Sequence, residues 1–170
     1  MVGIELNILE DGFDFFDIPV EKLDYAIASM HTFTYSPKTH TREDNTNAFL
    51  KAMECPYVKI LGHIDNPAYP IDYEKVILEA HKRHILIELN NASLHPDSAR
   101  PGAKEKDRII LDICRKNNIP IILSSDAHIK YQINCFDLAE QLLEEISFPD
   151  ELVVNYNMNL IEEYIIPLMK

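Results

Sequence analysis

Five short apolar runs, each ending in polar or ionisable residues, constrain the fold of this chain more than any other feature. The runs begin near Val2, Tyr25, Val58, Ile85 and Ile121, and stretches with helical periodicity follow most of them. Apolar runs of this length between turn signals are typical of buried strands, and their alternation with helices favours an α/β fold with a mostly parallel sheet. Because parallel strands end at the same edge of a sheet, we expect the polar ends to form one site.

The last apolar run gives the clearest chemical signal. Residues 121–128 read IILSSDAH, so that Asp126 and His128 follow the run at a spacing of two. On an extended strand, residues two apart point to the same side, which would bring a carboxylate and an imidazole to one spot. Such a pair suits a metal ion or proton transfer. The alternative is that Asp126 caps the next helix and His128 begins a loop.

Three earlier runs carry residues of the same chemical types. Glu5 lies in the first run, and His31 and His63 end the second and third. Together with Asp126 and His128, they form a mixed carboxylate and imidazole set that suits Zn, Mn or Fe. A carboxylate such as Glu5 can bridge two ions, which activate water and clamp a phosphate. One alternative is a structural ion without an open coordination position. The other is that the histidines at the strand ends are hydrogen-bonded within the protein and bind no metal.

Other local signals mark helix starts, turns and a long loop. Thr41 and Asp72 are N-cap residue types at the start of two predicted helices. Asp11-Gly12 predicts a turn, and residues 19–23 predict a short helix or turn. Residues 92–103 predict a loop that is long for a compact domain, and long ordered loops are often functional. Within this loop, Arg100 is either a phosphate clamp or a solvated surface side chain.

Composition narrows the class of protein. The chain has 170 residues, which is the size of one domain spanning residues 1–170. Its net charge of −12 argues against binding to a nucleic-acid backbone. No run is long enough to span a membrane, and no secretory leader is visible. Three cysteines without CxxC spacing predict reduced thiols and a cytoplasmic location.

Five motifs occur in order along the chain: GIELNI from residue 3, the run ending at His31, GHIDNP from residue 62, ELNNAS from residue 88 and SSDAH from residue 124. In these motifs and their spacing, the chain resembles the polymerase and histidinol phosphatase (PHP) superfamily, and within it the small bacterial phosphatase branch. The motifs cover nearly the whole chain. The resemblance implies a distorted (β/α)7 barrel that holds divalent metal ions, often Zn or Mn, and hydrolyses small phosphorylated substrates.

The resemblance also implies roles for individual residues. Glu5 would be a bridging metal ligand, and the further ligands would be His31, His63, Asp126 and His128. Asp126 and His128 would also take part in catalysis, and Arg100 would contact the phosphate. The implied activity is hydrolysis of phosphomonoesters by a metal-activated water.

One departure from the family pattern concerns the N-terminus. Members of the superfamily open with a strand that carries His-x-His before the Gly-x-Glu motif, whereas this chain starts at the Gly-x-Glu motif and contains no His-x-His. We therefore expect a partial barrel that lacks its first strands and exposes a sheet edge. We expect self-association or a complementing N-terminal segment to cover that edge. Two functions remain open, an active phosphatase and a degenerate domain that binds metal weakly or not at all and is not catalytic.

Overall fold

The five apolar runs form five neighbouring parallel strands of one sheet. A computed structural model describes residues 1–10, 12–14, 19 and 22–166. The strands are β1 (Gly3–Leu9), β2 (Gly12–Phe13), β3 (Tyr25–Ser29), β4 (Val58–Leu61), β5 (Leu86–Asn90) and β6 (Ile121–Ser124). Their order across the sheet is β2-β1-β3-β4-β5-β6. Only β2 runs antiparallel to its neighbour, while β1, β3, β4, β5 and β6 pair in parallel.

Helices connect most of the strands. They are α1 (Arg42–Ala52), α2 (Tyr73–Lys82), α3 (Ala103–Lys116), α4 (Asp137–Ile146) and α5 (Met158–Tyr164). The two predicted N-caps are confirmed. The Thr41 side chain accepts a hydrogen bond from the Asp44 backbone, and the Asp44 side chain accepts one from Thr41 in return. Asp72 accepts from the Lys75 backbone at 3.1 Å. These bonds satisfy N–H groups that a helix start leaves without partners.

The two faces of the sheet differ in chemistry. One face is apolar throughout and packs against α1 to α4, with Leu6, Ala28 and Ile87 buried in the main core. On the other face, Ile60 and Leu86 pack against Tyr164 near the C-terminus. Because side chains alternate along a strand, the residues that continue this second face toward the strand ends are polar. They are Glu5, Asn7, Ser29, Glu88, Asn90 and Ser124. The site therefore lies at the carboxyl ends of the strands.

The α/β class is confirmed, but the described residues do not form a closed barrel. Within these residues, β2 and β6 are the two edges of an open sheet. The oligomeric state and a complementing segment stay predictions. The predicted turn at Asp11-Gly12 and the helix or turn at residues 19–23 include residues outside the described part of the chain. No helix in the described part is long and apolar enough to cross a membrane.

Candidate metal centre

Glu5, His31 and His63 place three ligand atoms around one point. The Nε2 atoms of His31 and His63 are 3.2 Å apart. Glu5 Oε1 lies 3.3 Å from His63 Nε2 and 3.6 Å from His31 Nε2. Ligands at about 2.0–2.1 Å from a tetrahedral ion are separated from one another by about 3.3–3.4 Å. The three side chains therefore fit the edges of a metal coordination shell, and their nitrogen and oxygen donors suit Zn, Mn or Fe.

The parallel register of β1, β3 and β4 brings these residues together. Glu5 pairs with Ile27 across β1 and β3, while His31 and His63 each lie two residues beyond the end of a strand. His63 has a φ of +31°, a left-handed conformation that costs free energy in a non-glycine residue. The preceding Gly62 permits a close approach to β3, because a Cβ there would lie 2.1 Å from the Ser29 hydroxyl. Backbone strain at His63 is thus built into the site.

The orientation of His31 is set by a pair of polar residues behind it. Its Nδ1 lies 2.5 Å from Asn7 Oδ1, so Nδ1 carries the proton and Nε2 is left as the donor to a metal. The Asn7 backbone N–H donates to Asp14 at 2.7 Å, and the Asn7 amide donates to the same carboxylate. Burial and the charge of His63 lower the pKa of His31. Both effects favour the neutral imidazole that metal binding requires.

Glu88 holds the backbone at His63. Its carboxylate accepts the His63 N–H at 2.6 Å, the Ser124 hydroxyl, and the Asn90 amide at 3.3 Å. Glu88 is only 6% exposed, and this burial raises the pKa of its carboxyl. With three donors on one buried carboxylate, the ends of β4, β5 and β6 are tied together directly beneath the site.

The Glu5 carboxyl is kept ionised by its neighbours. Burial alone would raise its pKa, but hydrogen bonding by His63, together with the positive charge that His63 and His31 carry when protonated, lowers the pKa to about 2. Glu5 is therefore a carboxylate at any physiological pH. A permanent negative charge facing two imidazole nitrogens is the arrangement that attracts a divalent cation.

Arg100 and Asp126 form a second polar group beside the three ligands. Arg100 Nη1 and Nη2 each lie 3.4 Å from Asp126 Oδ2, and Nη1 donates to the Ser93 hydroxyl at 3.1 Å. Asn90 links this group to Glu88 beneath the metal centre, because its amide also donates to Asp126 at 3.2 Å. The hydrogen bonds of Asn90 and Glu88 thus connect the two groups. An open cleft of about 610 Å³ lies along Arg100 and Asp126.

The structure does not bring His128 to the three ligands. Its side chain is 83% exposed, and its Nδ1 bonds to the Asp126 main-chain oxygen at 2.9 Å. The expectation that Asp126 and His128 point to one spot assumed an extended strand. In the structure β6 ends at Ser124, and Asp126 has a φ of +49°, so the strand alternation stops before both residues. His128 instead lies on the rim of the cleft.

Several supporting residues were missing from the predicted site. Asn7, Glu88, Asn90 and Ser93 contact candidate ligands or Arg100 directly. One signal could have identified Glu88, which is the only charged residue in an otherwise apolar buried run at residues 85–89. A charge in such a position requires partners, because a buried unpaired carboxylate is costly.

The chain is similar to bacterial proteins that are named as probable phosphatases. No family model matches the chain. A protein of Clostridium botulinum named "Probable phosphatase" is 40% identical over 165 residues, which cover 96% of this chain and 66% of the relative. Proteins with the same designation from Clostridium acetobutylicum and Caldanaerobacter subterraneus are 40% and 37% identical over 166 residues, covering 66% and 64% of their lengths. The chain thus spans just under two thirds of these relatives. Nearly all of this chain is thus similar to part of bacterial proteins named as probable phosphatases.

Proposed function

We propose that this chain carries the site of a PHP-type, metal-dependent phosphoesterase that hydrolyses phosphomonoesters. The observation that carries the proposal is the set of three ligand atoms of Glu5, His31 and His63, separated by 3.2–3.6 Å. The designation of its relatives as phosphatases supports the reaction class. The ion would be Zn, Mn or Fe, since carboxylate and imidazole ligands suit all three.

Glu5 would hold the ion from within β1, and His31 and His63 would hold it from just beyond the ends of β3 and β4. A bound divalent ion polarises a phosphoryl oxygen and lowers the pKa of a bound water to about 7. Asn7 keeps the Nε2 atom of His31 unprotonated, and Glu88 keeps the backbone of His63 in place. These contacts preorganise the ligands before any substrate arrives.

Arg100 would bind the phosphoryl group of the substrate. Ser93 and Asp126 hold its guanidinium at the side of the cleft. A guanidinium has five N–H donors in a planar fork, so donors remain for two phosphate oxygens. Asp126 accepts from both terminal nitrogens of Arg100 and so positions the guanidinium. His128 on the rim would exchange a proton between the leaving oxygen and solvent.

The test combines metal content and turnover in the full chain. Protein stripped with chelator is reloaded separately with Mn, Zn or Fe and assayed on 4-nitrophenyl phosphate, with bound metal measured by elemental mass spectrometry. We expect Glu5→Gln to lower metal content and to reduce turnover by about a hundredfold or more. Glu74→Gln is the matched control, because Glu74 is an exposed carboxylate on α2.

Two outcomes would contradict the proposal. A chain that holds no metal under any loading condition would show that the three side chains are not ligands. A chain that holds metal but turns over no phosphomonoester would be the non-catalytic domain of the alternative prediction.

A further inference from the structure

Phe33 is a large apolar side chain left exposed directly beside the candidate metal centre. It is 78% exposed, the highest value among the large exposed apolar side chains of the described residues. Its ring stacks on the imidazole of His31, with centroids 5.3 Å apart and planes inclined by 21°. One face of the ring therefore covers a candidate metal ligand, while the rest of the ring faces solvent.

The turn that carries Phe33 is anchored on both sides. The backbone N–H groups of Thr34 and Tyr35 donate to the His31 carbonyl at 3.1 and 2.8 Å, and the Thr34 hydroxyl donates to the same oxygen at 3.2 Å. Tyr35 is buried, and its carbonyl accepts the Tyr69 hydroxyl at 2.7 Å. Phe33 is thus held between a site residue and a core residue. A ring fixed in this way loses little conformational entropy when a ligand covers it.

Single exposed apolar residues are common on protein surfaces, so exposure alone carries no meaning. What distinguishes Phe33 is its place relative to the groups that would bind a phosphoryl group. A phosphoryl group held between the metal ligands and Arg100 leaves its carbon substituent at the rim of the site. On the Arg100 side, the cleft offers mainly polar groups such as those of His95, Asp97 and Ser98. On the His31 side, outside the residues that line this cleft, the exposed ring of Phe33 lies against His31.

We propose that Phe33 is a specificity-determining residue that favours phosphomonoesters with a planar aromatic ring close to the phosphoryl group. This inference rests on the proposed phosphatase function. Aromatic rings prefer offset-stacked or edge-to-face contact with one another, and such a pair adds free energy beyond the area that it buries. An aliphatic substituent of the same size would gain the burial without the ring-to-ring contribution.

The experiment compares two phosphonates that differ only in whether their six-membered ring is aromatic or saturated. Benzylphosphonate and cyclohexylmethylphosphonate are titrated by calorimetry into the Mn-loaded full chain. We expect the wild type to bind benzylphosphonate about three- to tenfold more tightly. In Phe33→Leu and Phe33→Ala the ratio of the two affinities should fall to about one, with metal content unchanged. Tyr131→Leu is the matched control, because Tyr131 is 77% exposed but lies outside the three-ligand group.

The outcomes separate this inference from the function on which it rests. Equal binding of both phosphonates by the wild type, or a preference that survives in both Phe33 variants, would overturn the role of Phe33 while leaving the phosphatase site intact. Failure of both phosphonates to bind, together with no turnover of 4-nitrophenyl phosphate, would overturn the phosphatase function and this inference with it.

Discussion

Replacing Asp107 with Asn should stabilise the protein, and increasingly so as the pH rises. Asp107 lies on the buried face of α3 and is 1% exposed. Neither of its carboxylate oxygens has a hydrogen-bond partner in the described part of the chain. Burial raises the pKa of Asp107 well above the usual value, and the negative charges of Asp65 and Glu88 add to this effect. Ionising Asp107 in the folded state is therefore costly.

The sign and size of the effect follow from proton binding. In the unfolded chain, Asp107 loses its proton near pH 4, at about the usual Asp pKa. In the folded chain the raised pKa means that the proton is kept to a higher pH. Between these two pKa values the folded state binds one more proton, so the free energy of unfolding falls by about 1.4 kcal/mol per pH unit as the pH rises. Asn cannot ionise, so this loss should be absent from the variant.

Urea unfolding at pH 5 and pH 6 measures the difference between the wild type and Asp107→Asn. We expect the advantage of the variant to be larger at pH 6 than at pH 5, by up to about 1.4 kcal/mol. Asp112→Asn on the same helix is the control, because hydrogen bonds from Lys116 and Arg115 lower the pKa of Asp112. That variant should gain no stability as the pH rises. A pH-independent difference between Asp107→Asn and the wild type would refute the argument.

Three further predictions concern the site. Mn or Zn, added to the stripped chain at about 100 times the Kd of the metal, should raise the free energy of unfolding by about 2.7 kcal/mol, as measured by thermal unfolding. An equal gain in Glu5→Gln would contradict metal binding at Glu5. Gly62→Ala should lower the free energy of unfolding by about 1–3 kcal/mol, because its Cβ would lie 2.1 Å from the Ser29 hydroxyl, and adding Ser29→Gly should recover part of the loss. Arg100→Met should weaken calorimetric binding of inorganic phosphate about tenfold and Arg100→Lys less, whereas unchanged affinity would exclude Arg100 as the phosphate contact.

The strands and helix starts could be predicted because they depend on local patterns. Apolar runs bounded by turn residues mark the five parallel strands, and Thr41 and Asp72 cap their helices through bonds to residues three positions away. Closure of the sheet depends instead on pairing between distant segments, which hydrophobic periodicity does not encode. For that reason the α/β class follows from the sequence, whereas the barrel does not follow from it.

Glu5, His31 and His63 come together because the strands that carry or precede them pair in parallel. Because β1, β3 and β4 are parallel neighbours, Glu5 within β1 meets the two histidines that follow β3 and β4. The left-handed backbone of His63 and the close approach at Gly62 are local features that the strand pattern does not predict. The position of His128 could not be obtained in this way, because Asp126 leaves the extended conformation before it. A left-handed φ at a non-glycine residue is sparsely populated and is maintained by tertiary contacts. At Asp126 these contacts are with Arg100 and Asn90.

The buried acidic residues Glu88 and Asp107 differ in whether hydrogen-bond donors surround them. Glu88 interrupts an apolar strand and is matched by three donors, so its burial organises the ends of three strands. Asp107 interrupts the apolar face of α3 formed with Ile110, Leu111 and Cys114, yet finds no such donors among the described residues. Both positions can be recognised as charges within an apolar pattern, but the pattern alone does not say whether a partner exists. The contrast follows from their neighbours, since Glu88 lies in the polar layer beneath the ligands whereas Asp107 faces other acids.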